Sequence, residues 1–183
     1  MSEKLTQDPH QTAPLNEILA EARSFHRAFQ SVLMATVSED GRPHASYAPY
    51  VESEDGCFLV FLSELAAHTR NLMQDSRVSL LFIEEESGMK QVFARKRVTY
   101  EGSALEIRRE DAAFGPLLDR MAERHGPMVG MLRTLRDFHL FSITPEKAVY
   151  VRGFGEAFTL EGSDLQGIRW MGERGHQSMD EPL

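Results

Sequence analysis

Arg95-Lys96-Arg97 is the only run of three consecutive basic residues in the sequence. Alternate side chains of a β-strand share a face, so a strand here would point Arg95 and Arg97 to one side and Lys96 to the other. A guanidinium group matches the geometry of a carboxylate or phosphate, and two of them on one face could hold an anionic ligand. Ion pairs with the acidic run at residues 84–86, or a solvated strand face, would explain the same residues without a ligand.

The seven histidines show neither a His-Glu-x-x-His nor a Cys-x-x-Cys zinc pattern. His26 is expected on a helix surface, and His139 falls in a predicted strand, where a structural role is expected. His176 lies instead in a polar, glycine-bearing segment, from which an imidazole could swing onto a partner or cofactor and bind iron. A disordered terminus is the alternative, although Trp170 in the same segment argues against plain disorder.

Asp137 stands directly before a predicted strand. An aspartate in this position most often caps a turn. It gains chemical meaning if a histidine donates a hydrogen bond to it, because such a carboxylate orients the ring and strengthens it as a metal ligand. Two other chemistries are excluded: residues 153–155 lack the third glycine of a dinucleotide fingerprint, and no Gly-x-Ser-x-Gly pattern occurs.

Composition indicates one globular domain, with 183 residues, 42% apolar and 26% charged. The apolar runs are too short for a membrane span and the first thirty residues lack a secretion signal. Cys57 is the only cysteine, so an intrachain disulfide is excluded and a reducing compartment is favoured. A net charge of −8 argues against nucleic acid. We therefore expect a cytoplasmic protein with neither a membrane nor a nucleic-acid partner.

Hydrophobic periodicity predicts a mobile arm over residues 1–13, a barrel domain over 14–161 and a C-terminal tail over 162–183. Short strands at hairpin spacing, with helices at the edges, favour a small antiparallel barrel over a doubly wound sheet. The predicted strands are 32–37, 44–51, 57–62, 78–83 and 91–105, followed by a closing hairpin of 138–143 and 148–151. The predicted helices are 14–29, 66–74 and 109–135, and the last of these is broken near Gly126-Pro127.

Several segments resemble the pyridoxamine-phosphate-oxidase-like split-barrel superfamily. They are residues 35–37, 40–43 and 46–50, Ser63 with the run 68–72, and residues 77–80. Within that superfamily the chain is similar to the haem-utilisation branch, the HugZ/HutZ-type proteins. The residues that carry this second likeness are the run 93–99, Asp137-Phe138, Gly153-Phe154-Gly155 and the late Gly175-His176.

The resemblance implies a mainly β, α+β fold: a six-stranded antiparallel split barrel with flanking helices, paired as a homodimer with ligand clefts between subunits. It implies haem as the cofactor, with His176 as the axial iron ligand and Asp137 of the partner subunit as its hydrogen-bond acceptor. Arg97 would lie on the opposite face of the haem. Arg95 and Lys96 would contact the propionates or serve as framework.

The FMN-binding members suggest an alternative cofactor. In them a lysine or arginine grips the FMN phosphate at the position of His68, which is mostly neutral near pH 7, so the departure favours haem. His68 and Ser46 are still expected beside the cofactor. If FMN were bound, its phosphate would meet Arg42, Ser46, Ser63, Thr69 and Arg70.

These observations predict a haem-binding protein that degrades haem oxidatively to release iron, with an electron donor that the sequence does not identify. Two alternatives stay open. One is an FMN-dependent oxidoreductase, and the other is a non-catalytic haem carrier or store, in which the axial ligand would matter but Arg97 would not.

Overall fold

The computed structural model describes residues 13–87 and 91–172. The proposed ligand His176 and nearly all of the predicted N-terminal arm lie outside the described residues. No described helix is long and apolar enough to cross a membrane.

Four α-helices and eight β-strands are described, with three short 3₁₀ helices between them. The helices are α1 (Leu15–Phe25), α2 (Ala67–Gln74), α3 (Phe114–His125) and α4 (Met128–Leu132). The strands are β1 (Ser31–Val37), β2 (Pro43–Glu52), β3 (Phe58–Ser63), β4 (Arg77–Ile83), β5 (Arg97–Ile107), β6 (Phe138–Gly153), β7 (Glu156–Glu161) and β8 (Gly167–Trp170). The 3₁₀ helices are His26–Ala28, Val92–Ala94 and Ser163–Leu165.

The strands form one antiparallel sheet in the order β3-β2-β1-β4-β5-β6-β7-β8. A further pairing between β3 and β6 closes the first six strands into a barrel, since each then has two neighbours. The predicted six-stranded antiparallel barrel with flanking helices is therefore confirmed. The strands β7 and β8 continue the sheet beyond β6, so part of the predicted tail, residues 167–170, pairs with β7.

Two apolar cores hold the strands in place. The larger core fills the barrel and is rich in aromatic rings, among them Tyr50, Phe58, Phe82 and Tyr100. His26 is buried in this cluster at 3% exposure, so the expectation of a surface histidine was wrong. The smaller core lies between α3 and α4 and the outer face of β3 and β6, and this explains why β3 is apolar on both faces.

The strand β6 departs from the predicted closing hairpin, because residues 138–153 form a single strand. The sequence Thr144-Pro145 reads as a turn, but here it lies at a bulge where Gly102 of β5 pairs with Pro145. A Cβ atom on Gly102 would overlap the carbonyl oxygen of Thr144, so glycine permits the close approach that carries the strand through the bulge.

Candidate functional site

The three basic residues of the 95–97 run differ in their setting. The predicted strand 91–105 begins only at Arg97, because a 3₁₀ helix occupies Val92–Ala94. The expectation that Arg95 and Arg97 share one strand face was therefore wrong. Arg95 donates from Nε to the carbonyl oxygen of Glu84 at 3.0 Å and its Nη1 lies 2.7 Å from Glu86 Oε1. These contacts are the ion pairing with residues 84–86 that would explain Arg95 without a ligand.

Lys96 and Arg97 complete this basic edge, which we define as Arg95, Lys96 and Arg97 with the preceding 3₁₀ helix. The Nζ atom of Lys96 lies 2.8 Å from Glu21 Oε1 on α1. Arg97 donates from Nη1 to the carbonyl oxygen of Arg95 at 2.9 Å, and no carboxylate of residues 13–87 or 91–172 lies within ion-pair distance of it. Arg97 is therefore the member of the edge best placed to receive an external anion.

Exposed apolar side chains accompany the basic edge. Val92 and Phe93 on the 3₁₀ helix are 59% and 82% exposed, and this helix contacts β6. Large exposed apolar groups beside a basic residue fit a ligand that is itself apolar and anionic.

Asp137 lies at the other end of β6, directly before Phe138. Its Oδ2 accepts a hydrogen bond from Ser63 Oγ at 2.8 Å, and its carbonyl oxygen accepts one from the Glu64 N–H at 2.8 Å. No donor in the described part of the chain reaches Oδ1. We call Asp137, Ser63 and Glu64 the aspartate end. It presents a carboxylate that is fixed on one oxygen and open on the other.

His68 and Ser46 belong to elements that pack against each other at the α2 end of the barrel. His68 is buried on α2, while Ser46 and His44 face inward from β2. Burial, and less strongly the ring of His44, lower the pKa of His68, so it is neutral at pH 7. The buried Oγ of Ser46 and Nδ1 of His44 lack a hydrogen-bond partner among the described residues. A ligand group or water could satisfy both atoms.

The residues suggested for an FMN phosphate do not form a cradle. Arg42 pairs with Asp40 at 2.9 Å, and Arg70 donates to the carbonyl oxygens of Glu64 and Leu65. Ser63 and Thr69 are likewise engaged, by the Asp137 carboxylate and by the Ser63 carbonyl oxygen respectively. Only Ser46 of that set has an unsatisfied hydroxyl. The arrangement does not fit an FMN phosphate.

The basic edge and the aspartate end are far apart within one chain. Arg97 pairs with Val151 near the end of β6, whereas Asp137 precedes its first residue. A straight strand between these positions would measure roughly 46 Å at about 3.3 Å per residue. The sheet curves around the barrel and shortens this path, but the two groups still belong to opposite ends of one strand. They are two half-sites rather than one pocket.

An apolar patch covers the outside of the barrel on β1 and its two neighbours. Leu33 pairs with Tyr47 of β2 and with Leu81 of β4, and all three side chains point outward. Leu33 is 47% exposed and Tyr47 67% exposed. We call Leu33, Tyr47 and Leu81 the outer β1 face.

His139 is a polar residue whose contacts could not be inferred from the sequence. Its Nδ1 lies 2.6 Å from Glu106 Oε1 and its Nε2 lies 2.6 Å from Glu64 Oε1. These partners are 33 and 75 residues away along the chain, so no local spacing signals the cluster. In the described part of the chain, no group of three or more His, Cys, Asp or Glu residues could hold a metal ion.

Comparisons with known proteins agree with this architecture. Residues 18–152 match the family model described as pyridoxamine 5'-phosphate oxidase. The chain is 38% identical over 159 residues to a protein of Vibrio cholerae serotype O1 named heme oxygenase HutZ, which covers 87% of this chain and 89% of the relative. The resemblance to the haem-utilisation branch is thereby confirmed.

Two solved structures are also similar. One is HutZ from Vibrio cholerae, there described as a heme storage protein, with 36% identity and a TM-score of 0.64 over 73% of this chain and 92% of that one. The other is ChuZ from Campylobacter jejuni, with 26% identity and a TM-score of 0.79 over 93% of this chain and 69% of that one.

Proposed function

This chain belongs to the pyridoxamine 5'-phosphate oxidase family, and from that membership and its two half-sites we propose that it binds haem between two copies of itself and degrades it oxidatively to release iron. One observation carries the proposal. Arg97 has no carboxylate partner among the described residues, and it lies on β5 beside the end of β6 that is farther from Asp137. The name of the HutZ relative supports haem as the molecule bound.

The basic edge suits the chemistry of haem. Haem is a flat apolar plate with two carboxylates, so its binding site needs apolar walls and a cation. The exposed Val92 and Phe93 supply apolar surface, and the basic edge supplies cations. Lys96 can meet a propionate if the propionate displaces Glu21, which already divides its carboxylate between Lys96 and Arg152. Arg95 stays a framework residue, because Glu84 and Glu86 hold it.

Pairing of two chains through the outer β1 face would join the half-sites. Exposed apolar residues in contact across three strands favour a partner with the same character. A second copy satisfies this condition, because a two-fold axis places each patch against its own equivalent. Such a pair brings the basic edge of one copy toward the aspartate end of the other. This is the reason that we propose a homodimer.

Each proposed site residue has a distinct task. Haem supplies the redox-active iron and is also the substrate. Asp137 would accept a hydrogen bond at Oδ1 from the proposed axial ligand His176 of the other copy, which fixes the ring tautomer and makes the imidazole a stronger donor to iron. Ser63 holds the carboxylate in place through Oδ2. Arg97 would donate to negative charge that develops on the opposite face of the porphyrin.

A haem carrier or store is the second candidate function. The description of the Vibrio cholerae HutZ structure as a heme storage protein favours it. The two functions make different demands on Arg97, because a store needs an axial ligand, apolar walls and a cation for the propionates, but no donor to negative charge that develops during a reaction. A protein that degrades haem also needs the guanidinium of Arg97. His68 and Ser46 are proposed to lie beside the haem at the α2 end, and the cytoplasm is the proposed compartment.

Haemin titration followed by turnover tests the proposal. The purified protein is expected to give a sharp Soret band at about one haem per chain, and His176→Ala to shift or weaken it. Haem with ascorbate and catalase should then lose its Soret band and release iron. Intact haem under these conditions would favour the store, and a yellow protein with bound flavin would favour the FMN alternative. An unchanged spectrum of His176→Ala would exclude His176 as the ligand.

A further inference from the structure

His139 is held between two carboxylates in a way that requires a charged ring. Its two ring nitrogens each lie 2.6 Å from a glutamate oxygen, Nδ1 from Glu106 and Nε2 from Glu64. A neutral imidazole has a single N–H, so one of the two oxygens would then face a nitrogen lone pair at that distance. Both contacts are hydrogen bonds only in the imidazolium. The geometry therefore describes the protonated form of His139.

The surroundings of His139 support this charge state. Burial alone would lower the pKa of His139, but the hydrogen bonds and charges of Glu106 and Glu64 together raise it above its ordinary value. Asp137 lies two residues earlier, in the turn directly before β6. The other charged groups around the ring line the adjoining surface cavity, and these are Arg108, Arg109, Glu110 and Arg136.

Of these cations, Arg109 is committed to structure. Its guanidinium donates to the carbonyl oxygens of Arg133, Leu135 and Phe138 and lies over the ring of Phe114. It therefore fixes the chain that enters β6 immediately before His139. The two glutamates remain the groups that bind the imidazole directly.

The Glu64 side of this cluster leads directly to Asp137. The Glu64 N–H donates to the Asp137 carbonyl oxygen at 2.8 Å, and the neighbouring Ser63 Oγ donates to Asp137 Oδ2 at 2.8 Å. His139 and Asp137 are two residues apart where the chain enters β6. The imidazole, the turn at residues 63–65 and the Asp137 carboxylate thus form one connected unit.

We propose that His139 is a positioning residue for Asp137: as an imidazolium it ties Glu64 to β5 through Glu106, and so fixes the turn whose Ser63 holds the Asp137 carboxylate. We call the arrangement of His139 between Glu64 and Glu106 the His139 clamp, and it rests on geometry alone. Only its consequence for haem rests on the function proposed above, because that function assigns Asp137 its partner.

Deprotonation of His139 would open the clamp on the Glu64 side. Glu106 lies within β5, where it pairs with Phe141 of β6. Glu64 lies in a turn and is the more exposed of the two carboxylates. The single N–H that remains would therefore stay with Glu106. Since the pKa of His139 is raised, the clamp is closed below that pKa and is lost as the pH rises through it.

The first test measures the clamp without haem. NMR titration of ring-labelled histidine, with His139 assigned by its loss in His139→Gln, is expected to show a midpoint above about 6.5. Glu64→Gln, which is isosteric and removes one charge, should lower that midpoint by about 1 pH unit. A midpoint at or below the ordinary value in the wild-type protein would overturn the proposal.

The second test measures the link to Asp137 in the haem complex. Resonance Raman of the ferrous protein gives the iron–imidazole stretching frequency, which reports how strongly the axial histidine is hydrogen-bonded. In the wild type this frequency should fall as the pH passes the NMR midpoint, and in His139→Gln it should be low at every pH. His125→Gln is the matched control and should behave as the wild type, because the hydrogen bond of the His125 ring within residues 13–87 and 91–172 goes to the Tyr50 carbonyl oxygen and not to a carboxylate.

The results separate failure of this inference from failure of the proposed function. A His139→Gln frequency that varies with pH as the wild type does would overturn the positioning role while leaving haem binding intact. If the wild-type protein binds no haem, the proposed function fails, and if Asp137→Asn leaves the frequency unchanged, the proposed role of Asp137 fails. In both cases the NMR titration still judges the clamp.

Discussion

The basic edge and the aspartate end are built on opposite principles. At the basic edge, two of the three cations are neutralised by acids of their own chain, Arg95 by Glu86 and Lys96 by Glu21, which leaves Arg97. At the aspartate end, the neutral hydroxyl of Ser63 fixes the carboxylate without cancelling its charge, and the Glu64 N–H holds the main-chain carbonyl oxygen of Asp137. In the first region, ion pairs occupy Arg95 and Lys96 and leave Arg97 available to a ligand. In the second, a hydrogen bond orients the carboxylate of Asp137.

This difference shows what each half-site requires from outside the chain. Arg97 has spare donors and Asp137 has a spare acceptor oxygen, so each is incomplete alone. Arg97 lies beside one end of β6 and Asp137 lies at the other. A second copy of the chain would bring Arg97 of one copy and Asp137 of the other together. If that is correct, substitutions at the two half-sites must differ in what they impair.

The largest expected effect comes from separating the two half-sites. Tyr47→Asp puts a charge on the outer β1 face, where burial against a second copy would be costly. We expect a monomer by sedimentation velocity and loss of nearly all haem degradation. Met131→Asp is the control, since Met131 is similarly exposed but lies on α4, and it should stay dimeric and active. A dimeric, active Tyr47→Asp would rule out this face as the interface.

Arg97→Ala should have the next largest effect, and it should act on turnover. Removing a donor to developing negative charge costs about 10²- to 10³-fold in rate, whereas binding should change by only a few fold. Haem affinity by Soret titration and Soret decay with ascorbate measure the two separately. Equal losses in both would mean that Arg97 serves only to bind.

Asp137→Asn should reduce turnover by about 10- to 100-fold, less than Arg97→Ala, because it acts through the axial ligand. The amide retains the shape of the side chain but lacks the negative charge that strengthens the imidazole. The iron–imidazole stretching frequency should fall together with the rate. Ser63→Ala, which removes the donor to Oδ2 and keeps the charge, should have a smaller effect of the same sign. A rate loss without a change of frequency would place Asp137 elsewhere in the reaction.

Arg95→Ala should have the smallest effect on chemistry. Its guanidinium is occupied by Glu84 and Glu86, so we expect turnover within a few fold of the wild type and a loss of stability of up to about 1 kcal/mol, measured by urea unfolding. A loss of turnover as large as that of Arg97→Ala would show that Arg95 leaves its acidic partners when haem binds.

The sequence predicted the barrel strands well where apolar and polar residues alternate. In β1 and β4 alternate residues are buried, and this period is visible in the sequence itself. The prediction from sequence failed at Pro145, where a hairpin turn was expected. The sequence cannot show that Gly102, on another strand, makes room for a bulge there. It also failed at Val92–Ala94, where an apolar run reads as strand but forms a 3₁₀ helix.

The candidate site was predictable only as far as its residues belong to recognisable segments. Arg97 and Asp137 lie in such segments, and their roles stay predictions. The partners that distinguish Arg97 from Arg95 and Lys96 come from distant parts of the chain, such as Glu21 on α1. The His139 clamp joins three elements through side chains that no local pattern connects.

A mixing experiment with two inactive variants tests the central claim most directly. Arg97→Ala and Asp137→Ala chains are unfolded together, refolded as a mixture, and assayed for haem degradation against each variant alone. If each site takes Arg97 from one copy and Asp137 from the other, random pairing should restore about a quarter of the wild-type rate, because half of the dimers are mixed and each has one intact site. A mixture no more active than the separate variants would contradict the shared site.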